Sequence, residues 1–353
     1  MSAAAWLRAR ALWLFLAGLA AGALLLLWGL AAPRLALGGL LAGLLFWLGL
    51  ALGAYALLAV HALTGGRWLA PLFPVLAPAT ATLPVFALLA LPLLLDPAAV
   101  WPWVADPGLA RHPDVARWYL NLPGFVARSV VALAGWSLLG LLLVGSGGRR
   151  PAIGAPALLF HGVAVTILGL DWMLSLDPEF RSTAFAMWLG LQQVLAALGW
   201  CALLGTEPEG GRGKAGDLAQ LLIAAALGAA YLGFAQYLVA WYGNLPDKAT
   251  WYLQREALPW ILLEAASLAL SAVLPVLALL SGAARRSPRR LAWVGGAVLA
   301  GVLLHMLWLV GPPFGPLAIP AGLLGTAAVG GIWLGLAGGP FAARLRREVP
   351  HGA

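Results

Sequence analysis

Residues 38–62 read GGLLAGLLFWLGLALGAYALLAVHA, a stretch without a single Asp, Glu, Lys or Arg. An α-helix needs about 20 apolar residues to cross the hydrocarbon layer of a bilayer, so this stretch is long enough to span a membrane. Small and aliphatic residues fill it without the strict alternation that is typical of a membrane-embedded β-strand. The stretch therefore predicts a transmembrane α-helix.

Similar runs recur along the whole chain of 353 residues, of which 62% are hydrophobic and 10% charged. A soluble domain carries about 25% charged residues, so this chain cannot cover itself with a polar surface in water. We predict an all-α polytopic membrane protein, a single integral membrane domain over residues 1–353 with about ten transmembrane helices. The predicted spans are roughly 11–32, 38–62, 73–95, 123–145, 152–174, 182–205, 217–242, 257–282, 291–313 and 317–340.

The distribution of basic residues predicts the orientation of these helices. With a cytoplasmic N-terminus, 14 of the 21 lysines and arginines fall on the cytoplasmic side, which the positive-inside rule favours for both termini. Membrane orientation thus explains the net charge of +8 better than a nucleic-acid partner does. The first run is too long for a signal-peptide core, so we expect it to be retained.

The side chains that could bind redox groups are few. Cys201 is the single cysteine, which excludes a disulfide framework and a four-thiolate iron–sulfur site within this chain. The mid-membrane histidines are His161 and His305, and no helix holds two histidines facing a haem. A haem bound between these two residues is a minor alternative. We expect no redox cofactor in this chain.

The predicted outer loops are richer in aromatic and charged residues than the cytoplasmic ones, as expected of loops that bind or react. WYLNLP (118–123) and WYGNLP (241–246) share the pattern W-Y-x-N-L-P. A helix is expected after the first segment and before the second. We therefore interpret the two segments as sharing a position at the membrane interface, and not as copies of a duplicated unit. Trp and Tyr favour the headgroup level, and Asn favours caps and turns.

Ionisable and polar side chains close to or within the predicted spans are candidates for function, because a buried charge in a membrane is costly. Arg128 either snorkels to the headgroups or meets a carboxylate. Ser182 or Thr183 is expected to cap the sixth helix. Tyr237, Trp241 and Asn244 are expected on one face of the seventh helix. The full set of candidates for a quinone pocket or proton pathway is Arg128, His161, Asp171, Asp177, Glu179, Gln236, Tyr237, Asn244, Arg255 and Glu264.

Four segments resemble one family of respiratory membrane subunits. They are HALTGGRW (61–68), YLNLPGFVAR (119–128), SLDPEFRSTAF (175–185) and FAQYLVAWYGNLPDKATWYLQR (234–255). Together with the order of the motifs and the ten spans, they are similar to the NrfD-like (polysulfide-reductase-like) subunits of alternative complex III, a quinol:cytochrome c oxidoreductase. The similarity is greatest to the quinone-binding subunit 2, or ActF-like, type. The sequence departs from the family where Glu179 and Phe180 replace a histidine and a tryptophan.

The resemblance implies two four-helix bundles plus two further helices in a bacterial inner membrane. It implies quinone or quinol as ligand and a related NrfD-like membrane subunit as partner. An iron–sulfur, molybdopterin-like subunit and cytochrome c subunits would hold the iron–sulfur clusters and haem c.

We therefore expect a subunit of a quinol-oxidising complex, with one polar pocket lined by Arg128, Asp171, Asp177, Glu179, Gln236, Tyr237 and Asn244. Glu264 is the strongest candidate for proton transfer on physical grounds alone. Two alternatives stay open: a polytopic transporter, for which we see neither inverted repeats nor broken helices at the midplane, and a structural membrane anchor.

Overall fold

The computed structural model describes residues 3–109, 112–178, 180, 182–205, 214–244 and 246–347. The chain is 86% helical, and no β-strand occurs in the described ranges. Within these ranges, ten helices are long and apolar enough to cross a membrane, which confirms the predicted all-α polytopic fold. In order, α1 to α10 are Ala9–Ala31, Pro33–Thr64, Phe73–Leu95, Leu122–Gly145, Pro151–Leu176, Phe185–Leu204, Gly216–Tyr242, Trp260–Ala278, Pro288–Val310 and Ala318–Gly339.

The helices pack as two four-helix bundles and one pair. In bundle 1, α2, α3, α4 and α5 each pack against the next, and α5 closes the ring on α2. In bundle 2, α6 to α9 do the same, and α9 closes on α6. The helices α1 and α10 pack together and against α2, while α2 also packs against α6 and joins the two bundles. This is the arrangement that the family resemblance implied.

Close contact between the bundles depends on a glycine. A Cβ atom at Gly53 of α2 would overlap the backbone carbonyl of Gln193 on α6. Only glycine lets two helix backbones approach this closely, as small residues do in membrane helix pairs.

Three spans depart from a regular α-helix. The span α3 consists of Phe73–Ala81, Leu83–Leu89 and Leu91–Leu95, because Pro84 and Pro92 lack the N–H that would continue the helix. The other two contain single π-turns, Gly169–Met173 in α5 and Ala269–Val273 in α8. Such π-turns are frequently found at functional sites.

The connections lie on two faces of the molecule. We call the face with residues 96–121, 177–184, 243–259 and 311–317 the wide-loop face, and the face with residues 65–72, 146–150 and 279–287 the short-loop face. Side chains join the wide-loop connections: Trp103 Nε1 donates to Ser175 Oγ over 3.1 Å, and the rings of Phe180 and Trp251 stack 4.2 Å apart. On the short-loop face, His61 bonds to the Gly148 carbonyl oxygen over 2.8 Å.

Several local predictions are corrected here. The segment after Asp96 contains short helices, Pro97–Val100, Pro102–Ala105, Pro107–Leu109 and Pro113–Trp118, within what the sequence suggested to be a loop. Asn121 caps α4 by accepting a bond from the Gly124 N–H, as predicted. The predicted cap of α6 is wrong: the helix begins at Phe185 after Ala184, and neither Ser182 nor Thr183 caps it.

The second W-Y-x-N-L-P copy also differs from expectation. A helix, Pro246–Glu256, begins at its proline, so each of the two copies leads directly into a helix. We call Pro246–Glu256 the connecting helix. Asn244 lies beyond the end of α7 with a φ of 45°, a left-handed turn conformation that asparagine tolerates. It therefore does not share a helical face with Tyr237 and Trp241.

Candidate functional site: a cavity in the second bundle

A cavity of about 430 Å³ lies inside bundle 2, bounded by α6, α7, α8, α9 and the connecting helix. Its wall on α7 consists of small residues, namely Ala226, Ala229, Ala230 and Gly233. Polar side chains reach it from α6, the connecting helix and α8: Gln192, Tyr252, Arg255, Glu256, Glu264, Ser267 and Ser271. An apolar cavity of a few hundred cubic ångströms with a few convergent polar groups is typical of small-molecule sites.

The cavity opens sideways between α7 and α8. The rim residues Phe234 and Leu268 are 60% and 47% exposed, and Tyr237 and Ile261 are exposed beside them. The packing of α7 is against the second half of α8, from Ala269 onwards, and the first half of α8 has no comparable packing with α7 in the described part of the chain. The two helices therefore diverge toward the wide-loop face and leave a lateral mouth at membrane depth.

Glu264 lines the cavity and is paired with His305 behind it. His305 Nδ1 lies 2.9 Å from Glu264 Oε2, and the His305 side chain is 1% exposed against 30% for Glu264. The indoles of Trp188 and Trp308 hold the imidazole, with ring centroids 4.5 and 5.5 Å away. The pair is thus a carboxylate facing the cavity with a buried imidazole as its proton partner.

Arg255 reaches the cavity from the connecting helix. Its guanidinium lies 3.6 Å from the centroid of the Trp251 ring and donates to the carbonyl oxygens of Trp251 and Leu309, over 3.0 and 3.1 Å. Burial lowers the pKa of Arg255 to about 9, and the Asp177 carboxylate opposes this shift. The wall of the cavity thus combines the Arg255 guanidinium with the carboxyl groups of Glu256 and Glu264. Burial also raises the pKa of the neighbouring Tyr252, which stays a neutral phenol.

Bundle 1 contains an ion pair near the wide-loop face. Arg128 Nε and Nη2 donate to the two oxygens of Asp171, over 2.7 and 3.1 Å, and the Asp171 side chain is 1% exposed. Arg128 thus meets a carboxylate and does not snorkel. Its Nη2 also donates to the Tyr119 carbonyl, and the guanidinium lies 4.1 Å from the Tyr119 ring centroid.

Aromatic side chains fill the region beneath this pair. Trp101, Trp103, Phe125 and Trp172 are all buried, and Trp101 packs on Phe125 with ring centroids 4.6 Å apart. Trp172 Nε1 donates to Ser129 Oγ over 2.9 Å. Tyr119 is half-buried next to the ion pair, and burial together with the Asp171 carboxylate raises its pKa. Buried aromatic side chains therefore surround this ion pair.

The single polar pocket expected from the sequence is divided by the structure. Arg128 and Asp171 pair in bundle 1, whereas Tyr237, Arg255 and Glu264 line the cavity of bundle 2. The other candidates lie elsewhere. Gln236 accepts a hydrogen bond from Ser182, Asn244 lies in the turn after α7, Asp177 lies on the wide-loop face near Arg255, and Glu179 is outside the described residues.

His161 belongs to bundle 1, where its ring packs beside Tyr55 and Trp136 at centroid distances of 5.6 and 6.1 Å. His305 lies in bundle 2, between Trp188 and Trp308. The structure does not bring the two histidines together, so the minor alternative of a haem between them has no geometric support.

Several cavity residues were not predicted. Gln192, Ser267 and Ser271 lie in the wall, as do the indoles of Trp188 and Trp308. One signal was available in the sequence, because Glu264, Ser267 and Ser271 have the i, i+3, i+7 spacing of a single helical face. The indoles gave no such signal, since tryptophans occur on most helices of this chain.

The chain matches no protein-family model and no curated protein. The resemblance to alternative complex III subunits therefore stays a prediction, and functional inference depends on the geometry of the cavity.

Proposed function

We propose that the chain is a membrane subunit of a quinol-oxidising respiratory complex and that it binds quinol in the cavity of bundle 2. The observation that supports this most is the lateral mouth between α7 and α8. A ligand that enters from the side, at membrane depth, is one that dissolves in the bilayer. A water-soluble transport substrate would need a polar path from one of the two faces.

The shape of the cavity fits an amphipathic ring with a chain. Its α7 wall extends from Tyr237 to Ala226, which is about 16 Å along the helix axis at about 1.5 Å per residue. Arg255 and Glu264 lie at the end nearer the wide-loop face, and alanine and serine residues surround the deeper end. A quinol would match this arrangement. Its polar ring would lie at the end with Arg255 and Glu264, and its hydrocarbon tail would lie along the α7 wall or in the mouth.

The chemistry of the pair suits quinol oxidation. A quinol gives up two protons and two electrons when it becomes a quinone, and a positioned carboxylate is an effective proton acceptor. Glu264 would take the proton of one ring hydroxyl and share it with His305, and Glu256, the second carboxylate in the wall, would take the proton of the other hydroxyl. The electrons would go to haem or iron–sulfur groups in the cytochrome c and iron–sulfur subunits that the resemblance implies, beside a related membrane subunit.

The test is ligand binding to the purified chain in mild detergent, followed by quenching of tryptophan fluorescence, since Trp188 and Trp308 line the cavity. We expect wild type to bind decyl-ubiquinol and Glu264→Gln to bind it about tenfold more weakly, because a charge-assisted hydrogen bond becomes a neutral one. In membranes containing the native partners, quinol turnover should fall at least about 100-fold, the contribution of a general base.

Asp114→Asn is the matched control, because Asp114 is an exposed carboxylate on the same face, outside the cavity. Absence of quinol binding by wild type would overturn the proposal and make transport assays the next step. Unchanged turnover in Glu264→Gln would remove the carboxylate from the mechanism.

A further inference from the structure

The guanidinium of Arg255 has donors that no described residue uses. Arginine carries five N–H groups. Among the described residues, one bond from Nη1 goes to the Trp251 carbonyl and one from Nη2 goes to the Leu309 carbonyl. The buried Nε has no partner there. Because Arg255 is only 3% exposed and lines the cavity, water does not replace the missing partners freely.

The position of this group is fixed by its surroundings. The Trp251 indole supports one side of the guanidinium, and Trp308 lies at 5.7 Å. The stacking of Phe180 on Trp251 in turn fixes the connecting helix against the α5–α6 connection. A planar cation held by aromatic rings and two carbonyl bonds is pre-organised, so its free donors lose little entropy when a ligand binds.

We propose that Arg255 is a binding residue that donates hydrogen bonds to an unprotonated oxygen on the ligand's polar head, such as a quinone carbonyl or phenolate oxygen. This inference depends on the proposed occupation of the cavity by a quinone-type ligand. It assigns a direction to the ring: one oxygen faces Arg255 and the other faces Glu264. Ligands without an oxygen at the Arg255 end would bind weakly.

Fluorescence titrations with two ligands test this. Decyl-ubiquinone offers carbonyl oxygens, whereas decylbenzene has the same tail and a ring without oxygens. We expect Arg255→Met to weaken binding of decyl-ubiquinone by about tenfold to 100-fold, the range for hydrogen bonds to a charged group, and to leave decylbenzene unchanged. Arg255→Lys should recover part of the quinone affinity, because it keeps the charge but not the planar donors.

The control is Lys248→Met, which removes a cation from the same connecting helix at a position outside the cavity wall. Equal affinity of wild type and Arg255→Met for decyl-ubiquinone would overturn the inference while the proposed function stands. Equal loss of both ligands would also overturn it, since Arg255 would then only support the fold. Failure of wild type to bind decyl-ubiquinone would contradict the proposed function itself.

Discussion

Arg128 and Asp171 form hydrogen bonds with each other. Glu264 and Arg255 form no such pair with each other, and both line the cavity. The first two form a two-point ion pair with an almost fully buried carboxylate, surrounded by aromatic rings. Glu264 keeps one side toward the cavity, and Arg255 keeps unused donors. A ligand can therefore gain hydrogen bonds in bundle 2, while in bundle 1 it would first have to break an ion pair.

We therefore expect Asp171→Asn to lower the stability of the fold and to leave ligand binding unchanged. Removal of one partner from a buried ion pair leaves an uncompensated charge and costs about 3 kcal/mol. We expect a clearly lower midpoint of thermal unfolding in detergent. Ligand binding to the folded fraction should be unchanged, because Asp171 does not line the cavity.

Two further variants make this measurement decisive. Asp96→Asn changes an exposed carboxylate on the same face and should leave the midpoint unaltered. The double variant Arg128→Met, Asp171→Leu removes both charges and should recover most of the loss. If Asp171→Asn unfolded like Asp96→Asn but lost ligand binding, the functional carboxylate would belong to bundle 1 after all.

At the level of secondary-structure elements, the shape of the cavity depends on α7 and α8. A π-turn at Ala269–Val273 lies between the two halves of α8, and among the described residues α7 packs mainly on this turn and the second half.

Filling the cavity should abolish binding without removing any reactive group. Ala230→Phe places an aromatic ring into the cavity from the α7 wall, and we expect the affinity for decyl-ubiquinone to fall more than about tenfold. Stability should be largely kept, since the ring occupies an existing void. Unchanged affinity would mean that the ligand binds elsewhere.

Ala224→Phe is the appropriate comparison, because Ala224 is exposed on the same helix and does not line the cavity. This variant adds the same aromatic ring on the exposed outer surface of the bundle. We expect it to bind decyl-ubiquinone like wild type in the same titration.

At the scale of the whole molecule, the two bundles place the Arg128–Asp171 pair and the Glu264–His305 pair near the wide-loop face. Arg128 lies in the second turn of α4 and Glu264 in the second turn of α8, and each pairs with a residue near the end of the next span. Which compartment this face meets decides where released protons go. The distribution of lysine and arginine predicts that it is the outer side.

Cysteine labelling in intact cells tests this orientation. Cys201 is the only cysteine and is fully buried, so wild type should give no background with a membrane-impermeant maleimide. Asp114→Cys on the wide-loop face should be labelled, and Arg150→Cys on the short-loop face should be labelled only after the membrane is opened. The reverse pattern would place the wide-loop face in the cytoplasm.

The sequence by itself determined the spans and the class of fold. Hydrophobic runs such as 38–62 must satisfy their backbone groups within one helix when no water is present, so length and composition suffice to predict them. The sequence also identified Arg128, Asp171, Arg255 and Glu264 as costly residues that need partners. A local rule could do this because a charge within an apolar span is costly unless it finds a partner or reaches the headgroups.

Only the tertiary structure decided which of these residues meet. Arg128 and Asp171 are 43 residues apart, and Glu264 and His305 are 41 apart, so their pairing depends on how helices are arranged around each bundle. The sequence placed seven candidates in one pocket because all lay near one face. The structure separates them, because each four-helix bundle encloses its own interior, and the cavity with Tyr237, Arg255 and Glu264 in its wall belongs to bundle 2.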